Sequence, residues 1–283
     1  MTKLSIMTWN ISQAMARPEM GLWQASDASP EAFNLQYVAF GISRIIIDSE
    51  ADIVILQELP SIHAWMSLPG LDTVYRGTTL GGAQSHCGYS VILVSRAIGH
   101  QFKICFEAIV GPTLVVVFSY GKNSRLAVIG GHLTPSATGR PARTLEIAQA
   151  VMVAKTHCRG DGDGGDRDGD GDRDGGRDNV AIIFGGDLNM RNAETKGVEA
   201  HGLADAFVTL GSPKDREFTW NSRQNKYHKD GMGFTCRFDR FLYSVGGIVL
   251  PTGLRMIGNI PVTTEKPGHY FSDHYGLVTT WDL

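Results

Sequence analysis

Apolar runs of strand length recur along this chain, at residues 3–11, 52–59, 89–95, 114–120, 125–133, 180–184, 237–244 and 275–281. They are rich in Val and Ile and mostly continuous rather than alternating, which suits strands covered on both faces. Between the first two, Leu35, Val38, Ala39, Ile42, Ile45 and Ile46 recur at helical spacing, so an amphipathic helix is expected to lay its stripe on a sheet. A second helix is expected from near Pro141, a residue tolerated in a first turn, with Leu145, Ala148, Met152 and Val153 as its apolar face. A short helix is expected near residues 203–208. Many strands, few helices, no repeats and no linker-like stretch confine the chain to the α+β class. One domain over residues 1–283 is expected, with two sheets covered by helices.

Composition adds exclusions. The chain is 42% hydrophobic and 19% charged, as ordinary globular domains are. No apolar run approaches the roughly eighteen residues of a transmembrane helix, and the N-terminal stretch lacks the apolar region and cleavage site of a signal peptide. Cys87, Cys105, Cys158 and Cys236 are far apart and form no CxxC pair, which points to reduced thiols and an intracellular protein, in nucleus or cytoplasm.

The net charge of −3 is unevenly spread. Residues 159–178, "RGDGDGGDRDGDGDRDGGRD", hold eight Asp, eight Gly and four Arg, a net −4. Subtracting that −4 from −3 leaves the rest of the chain at about +1, so charge neither favours nor excludes nucleic acid. The DxDxDG-like spacing resembles a calcium loop but lacks the bidentate Glu at its end. With no apolar residue to bury, the segment is expected to be a flexible surface insertion.

The stretch "NVAIIFGGDLNM", residues 179–190, poses the functional question. If the strand stayed extended, Asp187 and Asn189 would face one way and Leu188 the other. Taken alone, "GDLN" reads as a turn. Other strands end comparably: Trp9-Asn10, Gln57-Glu58, His132, Asp239 within "RFDRFLYS", and Ser272-Asp273-His274 before the last strand. Singly, each has an ordinary structural reading; Asp239, for example, sits between two arginines and could simply pair with them. Together, six strand-terminal polar groups suggest the rim of one site.

At this point the chain resembles the endonuclease/exonuclease/phosphatase superfamily of metal-dependent phosphodiesterases. "TWN", "QE", "GGHL", "GGDLNMR", "FDRFLYS" and "SDHYGL" occur in the family's order across residues 8–277. The resemblance implies a four-layer α/β/β/α sandwich of two packed mixed sheets flanked by helices. "FTWNSRQN", "CRFDRFLYS" and "GYSVILV" are similar to the branch of 5′-tyrosyl-DNA phosphodiesterases, which release topoisomerase peptides from DNA 5′ ends. Abasic-site endonucleases usually carry a Lys soon after the Glu, where this chain reads "QELP".

The resemblance assigns roles. Glu58 would ligate Mg²⁺, for which Mn²⁺ can substitute, with Asp273 contributing directly or through water. Asp187 would act as base for the attacking water and Asn189 as its orienting partner. Asn10 and His132 would donate to phosphate oxygens, and His274, oriented by Asp239, would stabilise developing charge. Trp220, Phe238, Tyr89 and Arg140 would contact substrate. The implied partner is a DNA 5′ end carrying a tyrosyl or peptide adduct, met by a monomer without membrane attachment. Alternatives are another phosphodiesterase of the superfamily, such as an abasic-site endonuclease, deadenylase, sphingomyelinase or inositol-phosphate phosphatase, or a non-catalytic scaffold. Leaving-group preference separates the first set, and the retained site residues weigh against the second.

Overall fold

Alternate residues of each central strand enter different cores, which explains why the apolar runs are continuous. The computed structural model describes residues 2–12, 35–122, 124–158, 180–227, 233–262 and 268–283; the Asp/Gly-rich insertion expected to be flexible lies outside them. The first half supplies β1 (Lys3–Asn10), β2 (Ile53–Leu59), β3 (Tyr75–Gly77), β4 (Ala83–Ser85), β5 (Gly88–Ser95), β6 (Lys103–Val110), β7 (Thr113–Tyr120) and β8 (Ser124–His132). The second half supplies β9 (Ala181–Asp187), β10 (Leu203–Asp205), β11 (Trp220–Asn221), β12 (Thr235–Cys236), β13 (Asp239–Ser244), β14 (Leu250–Ile257) and β15 (Gly276–Asp282).

Among the described residues these form a seven-stranded sheet in the order β14-β15-β1-β2-β5-β3, with β4 also on β5, a six-stranded sheet in the order β10-β13-β9-β8-β7-β6, and a separate two-stranded pair, β11-β12. Both are mixed, since β1–β2 and β8–β9 run parallel within otherwise antiparallel ladders. Ile6, Ile55 and Ile92 of the first sheet meet Val116, Val128, Ile183 and Phe241 of the second in the central core. Their neighbours Met7, Val54 and Leu93 point outward onto Val38, Ile42 and Ile46 of helix Leu35–Asp48. On the other side Ala127, Ile129 and Ile182 meet Ile147, Ala150, Val151 and Ala154 of helix Arg140–Cys158. The result is an α/β/β/α sandwich, as the resemblance implied. Each fully buried Val or Ile contributes about 1.5–3 kcal/mol, so two-sided burial is what holds the strands in register.

Of the apolar face expected for the second long helix, Val153 packs against the outer core, but Leu145 and Met152 do not. Leu145 and Met152 are 58% and 62% exposed, while Arg143, Ile147, Ala150, Val151 and Ala154 are buried. Both stripes have helical period. The inner one packs Ile147, Ala150, Val151 and Ala154 on the sheet and lets Arg143 reach Glu194. The expected helix near 203–208 begins as strand β10, and Asp205 then caps a single turn at Ala206–Thr209 by accepting from Phe207 N at 3.0 Å. Strands β6 and β14 had no apolar run to announce them, because both lie on sheet edges with mixed burial.

Candidate active site

Two glycine pairs bring the first polar groups together. The parallel ladder of β8 and β9 matches Gly130 with Gly185, Gly131 with Gly186 and His132 with Asp187. A Cβ on Gly185 would lie 2.5 Å from the Phe241 ring and 2.9 Å from Ile55, so the sheets can close here only over glycine. The antiparallel ladder of β9 and β13 then matches Asp187 with Asp239. His132, Asp187 and Asp239 are thus fixed side by side by strand register alone.

The first sheet adds Asn10 and Glu58 from the ends of β1 and β2. Asn10 Nδ2 donates to Glu58 Oε1 and to Asp187 Oδ2, both at 3.0 Å, and so bridges the two sheets. This carboxamide, expected to face a phosphate, is engaged with the carboxylates. Glu58 is held at φ 60°, a left-handed backbone that non-glycine residues adopt at a cost and that is commonly retained at functional positions.

Asp187 and Asn189 do not converge by strand alternation. The strand ends at Asp187, and Asn189 turns to φ 51°. Its backbone N–H donates to Asp187 Oδ1 at 2.9 Å and its Nδ2 to Leu133 O at 3.0 Å. The turn reading of "GDLN" holds, and the turn is what aims the Asp187 carboxylate.

His274 Nδ1 lies 2.8 Å from Asp239 Oδ2, and its Nε2 lies 3.7 Å from Asp187 Oδ2. His132 Nε2 lies 3.4 Å from the same Asp187 oxygen. Burial alone would push the His274 imidazole down, but Asp239, Asp187 and Asp273 outweigh it and hold it well above the usual histidine range. Burial does win at His132, which is pushed down in spite of Asp187. One charged and one neutral imidazole thus flank a single carboxylate. The arginines flanking Asp239 in sequence do not pair with it. Arg237 and Arg240 both reach Asp205, at 2.7 and 2.8 Å, leaving Asp239 to His274.

Asp273 sits beside Ser272, whose hydroxyl donates to Asn10 O at 2.7 Å and accepts from His274 N at 3.1 Å. Burial, followed by the Asp273 carboxylate, raises Glu58 to about 7, an effect the Asn10 hydrogen bond softens. A buried acidic cluster that holds one of its members partly protonated is short of positive charge, which a divalent cation would supply. Glu58 and Asp273 offer the hard oxygen donors that Mg²⁺ prefers. Among the described residues no three His, Cys, Asp or Glu side chains form a ready metal cage.

Of the expected substrate contacts, Trp220 and Phe238 lie at the site. The Trp220 ring stands 4.9 Å from that of His274 and 6.0 Å from that of Phe238, and Arg191 covers Phe238 at 4.5 Å. Phe234, which sequence reasoning missed, extends this wall by stacking on Trp220 at 6.1 Å. Tyr89 is half-buried on β5, opposite Leu59. Arg140 is exposed at the start of its helix and lines a small cleft with Arg143 and Glu194, away from the carboxylate cluster. Thr219 was also missed. Its hydroxyl accepts from Phe238 N and Asp239 N at 3.1 and 3.0 Å and so fixes where β13 starts.

No model of a known protein family matches the chain. Tyrosyl-DNA phosphodiesterase 2 of Danio rerio is 32% identical over 292 residues, covering 99% of this chain and 67% of the relative. The match to the same enzyme of Xenopus laevis is 32% identical over 111 residues and spans only 29% of that relative's length. A crystal structure of truncated TDP2 from Caenorhabditis elegans shares the fold, with a TM-score of 0.70 at 20% identity over 99% of this chain and 98% of that one. So does TDP2 of Danio rerio complexed with a single-strand DNA product, at a TM-score of 0.69 and 19% identity over the whole of both chains.

Proposed function

The chain belongs to the tyrosyl-DNA phosphodiesterase 2 family of the endonuclease/exonuclease/phosphatase superfamily, and from that premise we propose that it is a Mg²⁺-dependent hydrolase of the 5′-phosphotyrosyl bond between DNA and a trapped topoisomerase peptide. The observation that carries the reading is Asp187, buried at the meeting point of both sheets with His132 and His274 facing one of its oxygens.

A phosphodiester is anionic, so its hydrolysis needs charge neutralisation and an oriented water. When bound by Glu58 and Asp273, the divalent cation supplies part of that neutralisation. Asp187 accepts the proton of the attacking water, and the backbone N–H of Asn189 keeps its carboxylate aimed. The charged His274 imidazole, fixed by Asp239, faces the developing negative charge. Trp220 presents an aromatic face beside His274, suited to a ring or base at the end of a strand. The related TDP2 whose structure holds a single-strand DNA product supports DNA as the polymer.

We place the protein on nuclear or cytoplasmic DNA ends, acting as a monomer. Its four cysteines are free thiols, and no helix among the described residues is long and apolar enough to cross a membrane. Incubation with a 5′-phosphotyrosyl oligonucleotide and an abasic duplex side by side, with and without EDTA, tests the reading. Mg²⁺-dependent release of tyrosine should exceed strand cleavage, and faster abasic cleavage would reassign the enzyme within the superfamily.

A further inference from the structure

The wall of the site opposite Asp187 is a hairpin tip. The two nitrogens of the His132 ring point to different flanks: Nε2 is 3.4 Å from Asp187 Oδ2, and Nδ1 is 3.4 Å from Ser85 Oγ. Ser85 closes β4 and pairs with Gly88 of β5, so His86 and Cys87 form a tight two-residue turn over the site. The turn is firmly mounted. Cys87 N–H donates to Ser85 Oγ at 3.3 Å, and a Cβ on Gly88 would lie 2.6 Å from Leu59 O and 3.3 Å from the Glu58 backbone. Burial, followed by the Glu58, Asp187 and Asp273 carboxylates, pushes the Cys87 thiol up, so the turn looks onto the acidic cluster. At its apex the exposed His86 ring lies 5.8 Å from that of His132.

Phosphoryl transfer keeps the attacking and leaving oxygens roughly in line across the phosphorus. With the water on the Asp187 flank of His132, the leaving oxygen falls on the opposite flank, which the turn occupies. A tyrosyl oxygen has a pKa near about 10 as the free phenol, so at neutral pH its departure gains from a proton donor.

Resting on the phosphotyrosyl reading above, we propose that His86 is a further catalytic residue, the general acid that protonates the departing tyrosyl oxygen. In this step the water oxygen forms the new bond to phosphorus and its proton passes to Asp187. The bond from phosphorus to the tyrosyl oxygen breaks, its electron pair goes to that oxygen, and the N–H of a His86 imidazolium supplies the proton that makes free tyrosine. Exchange with solvent returns one proton from Asp187 and restores the one on His86.

The test compares oligonucleotides carrying a 5′-tyrosyl or a 5′-p-nitrophenyl phosphodiester, since p-nitrophenol is the more acidic leaving group and needs less help. His86→Ala should lower kcat on the tyrosyl substrate by roughly a hundredfold and on the nitrophenyl one by about a tenth as much. Because His86 is exposed, added imidazole should restore part of the tyrosyl rate, with the melting temperature of the variant unchanged. Equal losses on both substrates, or no imidazole rescue, in an otherwise active protein would overturn the role of His86. Wild-type protein that releases neither phenol would instead overturn the phosphotyrosyl reading itself.

Discussion

His132 and Asp187 are the last matched pair of the parallel ladder between β8 and β9, and their side chains approach to 3.4 Å. The pairing places a neutral imidazole beside a carboxylate without any loop having to fold correctly. It depends instead on the glycines that precede both residues, because a Cβ at Gly130 or Gly185 would meet Ile55 of the facing sheet at 2.7 or 2.9 Å.

The first prediction follows from that closeness. Gly185→Ala puts a methyl 2.5 Å from the Phe241 ring, with Ile55 at 2.9 Å. Overpacking of this kind costs about 1–3 kcal/mol, to be read from chemical denaturation. An unchanged unfolding midpoint would mean that the sheets are not held together at this point.

A second prediction concerns Glu58. Its carboxyl is raised from 4.5 to about 7, so without metal the folded state binds this proton more tightly than the unfolded state does. Stability therefore falls as pH rises through that window and stays lowered above it. In EDTA, Glu58→Gln should match the wild type at the acid end and melt at higher temperature above about pH 7. Added Mg²⁺ should stabilise the wild type far more than the variant. A difference between the two proteins that does not change with pH would contradict the account.

Arg143 gives a third. It donates to both Glu194 oxygens at 3.0 and 2.8 Å and to the carbonyls of Thr134 and Ser136 at 2.7 and 2.8 Å, tying the loop after His132 to the loop after Asp187. Arg143→Met leaves Glu194 buried without its charge partner, held only by the Arg191 backbone N–H at 2.9 Å, at a cost of about 3–5 kcal/mol. Arg143→Met combined with Glu194→Leu should recover part of it. A loss below about 1 kcal/mol for the single variant would show that the pair does not brace these loops.

How far the sequence disclosed this site depends on which residues are considered. Asp187, His132, Asn10 and Glu58 close buried strands, and an apolar run that stops at a polar residue is visible without a structure. The pairing of Arg237 and Arg240 with Asp205 was not visible, because two of the three residues flank Asp239 and nothing local says they turn away from it. His86 sits in a two-residue turn and Phe234 just before the two-residue strand β12, both too short for any periodicity to mark them. The inward face of helix Arg140–Cys158 carries Ile147 and Val151 beside Ala150, Ala154 and Arg143, so apolar residues lie on both sides of the helix and period alone does not choose between them.

Trp220 carries the fourth prediction. Its ring packs on Phe234, Phe238 and His274 and is half-buried, so one edge stays open to a ligand. Stacking on such a ring is worth about 1–3 kcal/mol, so Trp220→Ala should lower kcat/KM on 5′-phosphotyrosyl DNA roughly ten- to a hundredfold. A small chromogenic phosphotyrosine diester, which needs no contact with a DNA end, should lose much less. Equal losses together with a lowered melting temperature would make Trp220 a packing residue.

The central claim is that Asp187 takes the proton of the attacking water, and single-turnover cleavage of a 5′-phosphotyrosyl oligonucleotide by Asp187→Asn tests it most directly. The carboxamide keeps the shape of the side chain and can still accept from one of the two donors, Asn10 Nδ2 or the Asn189 backbone N–H, which in the wild type bond different carboxylate oxygens, so substrate binding should change little. The account predicts that the cleavage step slows by roughly 10²–10⁴-fold while Kd for the oligonucleotide stays within a few-fold of wild type. Cleavage by Asp187→Asn at close to the wild-type rate would contradict it.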